Sequence, residues 1–129
     1  MTATPSECKQ LIARYLQALS GQVKTPQLVA GYVSDRHLAD HIAQAEAAFP
    51  SYELLVEELI AERDVVAMRG TFQGVHRGTF AGIPATGRSV SAPLMIIYRV
   101  ADGRIVEHWM QFDAAAVVSQ LQQNTGVSA

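Results

Sequence analysis

Apolar residues in the first fifty positions recur at helical spacing. Leu11, Ile12, Tyr15, Leu16 and Leu19 form one stripe, and Gly21 ends it. Thr4, Pro5 and Glu7 precede the stripe as an N-cap, a first-turn proline and an N3 acid, so the helix is predicted to begin at Pro5. Thr25-Pro26 repeats the start signal for a short helix through Leu28, Val29 and Tyr32. Ser34 is read as the cap of a third helix, which carries Leu38, Ile42, Ala45 and Phe49 and is stopped by Pro50.

From Tyr52 the period changes. Glu53–Glu62 is rich in Leu, Val and Ile, Glu62-Arg63-Asp64 reads as a tight turn, and Val65–Gly74 continues as a second strand. Within Arg88–Val100 the alternation is strict, with Val90, Ala92, Leu94, Ile96 and Tyr98 on one face. Asp102-Gly103 suits a two-residue hairpin turn, because both positions tolerate positive φ. Ile105–Phe112 is then the last strand, Ala114–Leu121 a closing helix, and the tail after Gln122 is expected to fray.

Three helices, four long antiparallel strands and a final helix define an α+β class. A strongly curved sheet folded over the helices leaves a pocket between the two layers. The 129 residues suit one domain spanning 1–129, and 49% hydrophobic against 17% charged residues is enough to bury a core. The formal charge of −2 is spread without a basic stripe, which argues against nucleic acid and against an anionic membrane surface. No apolar run approaches the roughly 18 residues of a membrane span. Cys8 is the single cysteine, so no internal disulfide is expected; on an amphipathic helix it is read as a packed or surface thiol rather than a nucleophile. With no signal-peptide pattern at the N-terminus, the expected location is the cytoplasm.

Candidate chemistry concentrates in His108-Trp109-Met110-Gln111-Phe112-Asp113. A carboxylate among aromatic residues at a strand end is placed for a raised pKa and acid–base work, but Asp113 is equally an ideal N-cap for the helix that follows. On a regular strand Asp113 shares a face with Ile105, Glu107, Trp109 and Gln111, whereas His108 shares the other with Val106, Met110 and Phe112. Only a bulge or a twisted strand end brings Asp113 and His108 into one cavity. His37 and His41 are four apart on a helix, yet without an adjacent Glu or a third ligand they read as surface groups, with His37 the one placed to face a pocket. Arg69 and Arg99 lie inside strands and call for ion pairing, exposure or an anion. Gly78–Gly87 is glycine-rich but is followed by neither Lys-Ser/Thr nor a helix, so it is a hairpin connection rather than a phosphate loop.

Taken together, Gly70-Thr-Phe-Gln-Gly-Val-His-Arg-Gly-Thr-Phe-Ala-Gly-Ile-Pro-Ala-Thr-Gly-Arg88, Ile97-Tyr98-Arg99-Val100, Asp102-Gly103-Arg104-Ile105-Val106-Glu107-His108-Trp109, Asp113 and Gln120-Leu121 resemble the SnoaL-like polyketide (ester) cyclases. The weaker Ile42–Glu57 segment fits as well, so the resemblance covers roughly residues 28–122. It implies the nuclear transport factor 2-like (cystatin-like) fold, an α+β barrel or cone with one deep pocket. It further implies intramolecular aldol chemistry, of lyase or isomerase type, on a small, mostly apolar carbonyl or polyketide-like compound, with neither metal nor organic cofactor. In that mechanism Asp113 matches the catalytic aspartate, and His108 is the candidate for binding an oxyanion or orienting the substrate. Tyr32, Phe49, Trp109 and Met110 are candidate walls, with Met95 from the preceding strand and Arg69 as a candidate polar contact. The strand beside the base supplies mostly apolar residues, Met95 and Ile97 with Arg99, which points to a greasy ligand. The resemblance also implies a homodimer paired through the outer sheet face. The competing class is a non-catalytic small-ligand-binding or dimerisation domain, in which Asp113 is only a helix cap.

Overall fold

Thr4 opens the first helix with a complete capping box: its hydroxyl accepts from the Glu7 N–H, and the Glu7 carboxylate accepts from the Thr4 N–H. The computed structural model describes residues 3–123. They form α1 (Pro5–Leu19), α2 (Pro26–Ala30), α3 (Arg36–Ala48), β1 (Glu53–Glu62), β2 (Val65–Val75), β3 (Ser89–Ala101), β4 (Arg104–Phe112) and α4 (Ala114–Leu121). The tail expected to fray lies, from residue 124 onward, outside the described residues. No helix among the described residues is long and apolar enough to cross a membrane.

The four strands make one antiparallel sheet in the order β1-β2-β3-β4. The sheet stays open, with β1 and β4 as edges, so the barrel expectation resolves to an unclosed cone. Two-residue turns join the outer pairs. Arg63-Asp64 connects Glu62 to Val65, and Asp102-Gly103, both at positive φ, connects Ala101 to Arg104. Strict alternation on β3 buries Val90, Ala92, Leu94, Ile96, Tyr98 and Val100 against the helices. Ile12, Tyr15, Leu16 and Leu19 of α1 and Leu38 and Ile42 of α3 complete the core, with Cys8 packed inside it.

Two local features decide where the site forms. On β4, Val100 pairs with Ile105 while Arg99 pairs with Glu107, so Val106 is an extra, bulged residue. The bulge turns Ile105 inward, where it is fully buried, instead of leaving it on the Glu107 and Trp109 face. It also lets the Ile105 carbonyl accept the N–H groups of Ser34 and Asp35, at 2.8 and 3.1 Å. The start of α3 is thereby tied to β4. The cap of α3 is Asp35 rather than Ser34: its Oδ1 accepts from the Leu38 N–H at 3.2 Å.

The second feature is the connection between β2 and β3. The N–H groups of Arg77 and Gly78 both donate to the Ala48 carbonyl, the last of α3. Gly78 is required there, because a Cβ would collide with the Ala47 carbonyl oxygen. His76, fully buried, holds the far end of the loop through Thr86. Phe80, within this pinned loop, lines the space between helices and sheet.

Candidate active site

Between α1, α3 and the inner face of the sheet lies a cavity of about 770 Å³, partly open to solvent. Its walls are mainly apolar: Ile42, Phe49, Phe72, Leu94, Ile96 and Met110 among others. Its polar lining is made of phenols, imidazoles, amides and a hydroxyl, including Tyr15, Tyr52, Tyr98, His41 and His108. No Asp, Glu, Lys or Arg is among the lining residues.

His108 is the best-built polar group in it. Its Nδ1 lies 2.7 Å from Asp35 Oδ2, and the two side chains are only 7% and 12% exposed. A carboxylate is an acceptor, so Nδ1 carries a proton, and in the neutral tautomer that this selects Nε2 holds the lone pair. Burial acts to raise the Asp35 pKa. The hydrogen bonds from His108 and the Leu38 N–H outweigh it and hold the carboxyl below its usual value. One carboxylate therefore does two jobs, capping α3 with Oδ1 and orienting His108 with Oδ2. His41 stands edge-on to His108 with ring centroids 5.5 Å apart, and it, not His37, lines the cavity.

Asp113 is elsewhere. It is exposed and caps α4, its Oδ1 accepting from the Ala116 N–H at 2.9 Å. Its neighbours Phe112 and Ala114 line the cavity and Asp113 does not. The bulge on β4 lies at the opposite end of the strand, so strand parity holds from Glu107 onward and the structure does not bring Asp113 and His108 together.

The remaining candidates divide by face. Phe49 and Met110 are cavity walls. Tyr32 is half-buried against Tyr15, with ring centroids 5.8 Å apart, and lies behind the wall. Met95 and Trp109 project from the outer sheet face, 56% and 48% exposed. Arg69 is on that face too, paired with Glu57 and Glu58, and Arg99 pairs with Asp64 and Glu107. Both arginines thus follow the ion-pairing reading. Among the described residues no cluster of three or more His, Cys, Asp or Glu is arranged to hold a metal.

Asp35 was missed from sequence, since Ser34 and Asp35 are both good caps and only the Ile105 contact selects between them. Tyr15 and Tyr98 fit a helix stripe and a strand alternation as ordinary core, and Tyr52 lies just before β1 with no pattern to mark it.

No curated protein matches the chain by sequence. Solved structures match along nearly all of it. AclR from Streptomyces galilaeus superposes with a TM-score of 0.78 at 26% identity, over 92% of this chain and 82% of that one. TsrD from Streptomyces laurentii gives 0.77 at 24% identity, over 93% and 98%. A SnoaL-like polyketide cyclase from Agrobacterium tumefaciens gives 0.71 at 21% identity, over 92% and 98%. The family model described as SnoaL-like polyketide cyclase matches residues 12–121, and the chain belongs to that family.

Proposed function

We infer that the protein is a cyclase-type enzyme that performs acid–base chemistry on a small, mostly apolar carbonyl compound, with His108 as the proton-transfer group and Asp35 as its positioning partner. The observation that carries this reading is the largely buried Asp35–His108 hydrogen bond beside a cavity wall without Asp, Glu, Lys or Arg. Nε2 of His108 takes a proton from a carbon next to a carbonyl, leaving an enolate and an imidazolium that Asp35 stabilises. The enolate carbon attacks a second carbonyl of the same molecule, closing a ring, and the imidazolium returns its proton to the new alkoxide. Holding both carbonyls in one chamber supplies proximity, worth up to about 7–11 kcal/mol when attack geometry is good.

This assignment places the base on His108 and leaves Asp113 to its cap. The cap favours a second reading, a binding domain without catalysis. Deuterium exchange separates the two. The methyl ketone 2-acetonaphthone, incubated in D₂O, should acquire label at its methyl group faster with the protein than without it, and His108→Gln should abolish the gain while still binding the ketone. Binding without accelerated exchange would select the binding domain.

Pairing with a second copy through the outer sheet face belongs to the same proposal. Ile60, Ala67, Ile97 and Trp109 are register neighbours and form an apolar row across the four strands. Ile60, Ile97 and Trp109 are 58%, 43% and 48% exposed. Ion pairs of Arg69 and Arg99 border the row on both sides.

A further inference from the structure

Tyr98 lies toward the C-terminal end of β3, is fully buried, and is among the residues around the cavity. Its hydroxyl has no hydrogen-bond partner among the described residues. Buried phenols nearly always find a partner, because leaving one unpaired forfeits its hydration without return. Ordinary packing would place Phe here at no loss. Tyr98 is also the register partner of His108 on β4, so the two side chains rise next to each other from the inner face of the sheet. Tyr15 meets it edge-on at 5.8 Å, and Tyr52 lines the same cavity. Burial pushes the pKa of all three phenols up, so each is a neutral O–H donor across the physiological range.

We propose that Tyr98 is the anchor for the ligand's carbonyl oxygen, donating its O–H to that oxygen beside His108. This deepens the acid–base reading above and rests on it for the identity of the reacting carbon. A neutral phenol strengthens its hydrogen bond as a carbonyl becomes an enolate, which lowers the barrier to removing the adjacent proton. The ligand class follows: an uncharged ketone or ester whose carbonyl lies within an apolar skeleton. A free carboxylate is disfavoured, since no cationic Lys or Arg lines the chamber.

Two naphthalene probes test this, 2-acetonaphthone and its isostere 2-isopropenylnaphthalene, in which =CH₂ replaces =O. Dissociation constants are measured by equilibrium dialysis for the wild type, Tyr98→Phe and His108→Gln. Tyr98→Phe should weaken the ketone about five- to tenfold, the size of one hydrogen bond, and leave the alkene unchanged. The bound ketone's carbonyl stretch should shift to lower wavenumber in the wild type and lose that shift in Tyr98→Phe. Its melting temperature should equal or exceed that of the wild type, because the variant removes an unpaired buried group. Equal weakening of ketone and alkene, or an unshifted carbonyl stretch, would overturn the anchor. The two readings fail separately. A Tyr98-dependent ketone preference without His108-dependent exchange leaves the anchor and removes the acid–base role. Exchange that needs His108 but shows no Tyr98-dependent preference does the reverse.

Discussion

Replacing Asp35 with Asn separates its two jobs. Asn is as good an N-cap as Asp, so one oxygen can still accept from Leu38 N–H and hold the start of α3. The other branch becomes an NH₂ facing His108 Nδ1, where Oδ2 had accepted at 2.7 Å. A donor there forces Nδ1 to become the acceptor and moves the ring proton to Nε2. The variant should therefore lose only about 1 kcal/mol of stability, the difference between a charge-assisted and a neutral hydrogen bond. Its exchange rate should fall much further, by about 10²–10⁴-fold, because Nε2 no longer offers a lone pair. Asp35→Ala removes both bonds. The cap is worth about 1 kcal/mol, and the charge-assisted bond about 1.5–3 kcal/mol. Together they give a loss of about 2.5–4 kcal/mol. Urea denaturation and deuterium exchange into 2-acetonaphthone measure the two effects independently. Because the folded carboxyl has a pKa below 3.8, its stabilising effect is full above that value and disappears as pH falls through the lower folded value. The stability gap between wild type and Asp35→Asn should close over that acid window. Wild-type exchange by Asp35→Asn, or a gap that widens on acidification, would refute the dual role.

Asp113→Asn should leave both stability and exchange near wild type, and Asp113→Ala should cost about 1 kcal/mol through the lost cap, as read by thermal melts and the same exchange assay. A large loss of exchange in Asp113→Asn with its fold intact would return the base to Asp113. Lys24 has a fully buried side chain that donates to the carbonyls of Gln22 and Tyr52, pairs with Glu46 and covers the Tyr52 ring. Lys24→Met strands these acceptors and should cost about 2–4 kcal/mol in urea titration. A Trp109→Glu, Ile97→Glu double variant should run as a 14 kDa monomer in light scattering where the wild type runs as a dimer; a monomeric wild type would remove the outer face as an interface.

Element order was legible because each start and stop carried local chemistry: Thr4 and Glu7 at α1, Asp102-Gly103 at the last hairpin, strict alternation along β3. Those signals act over a few residues, and the structure reproduces them closely. The site depends on contacts that span the chain. Asp35 meets His108 across 73 positions, and it does so only because the Val106 bulge exposes the Ile105 carbonyl to the start of α3. Nothing periodic marks such a bulge. Parity along β4 was readable and placed His108, Met110 and Phe112 on one face, which is the cavity face. Which face of the sheet turned inward for Trp109, Met95 and Arg69 was set by the helices, and it left all three outside. Tyr98 shows the remaining limit: alternation identifies it as core, and only its unpaired hydroxyl distinguishes it from Phe.

The most direct test is a crystal structure of the protein with 2-acetonaphthone bound. The ketone should lie in the cavity with its carbonyl oxygen within hydrogen-bond distance of the Tyr98 hydroxyl and its methyl carbon against Nε2 of His108. A ketone seated instead at Asp113, or on the outer sheet face, would contradict the assignment of the site.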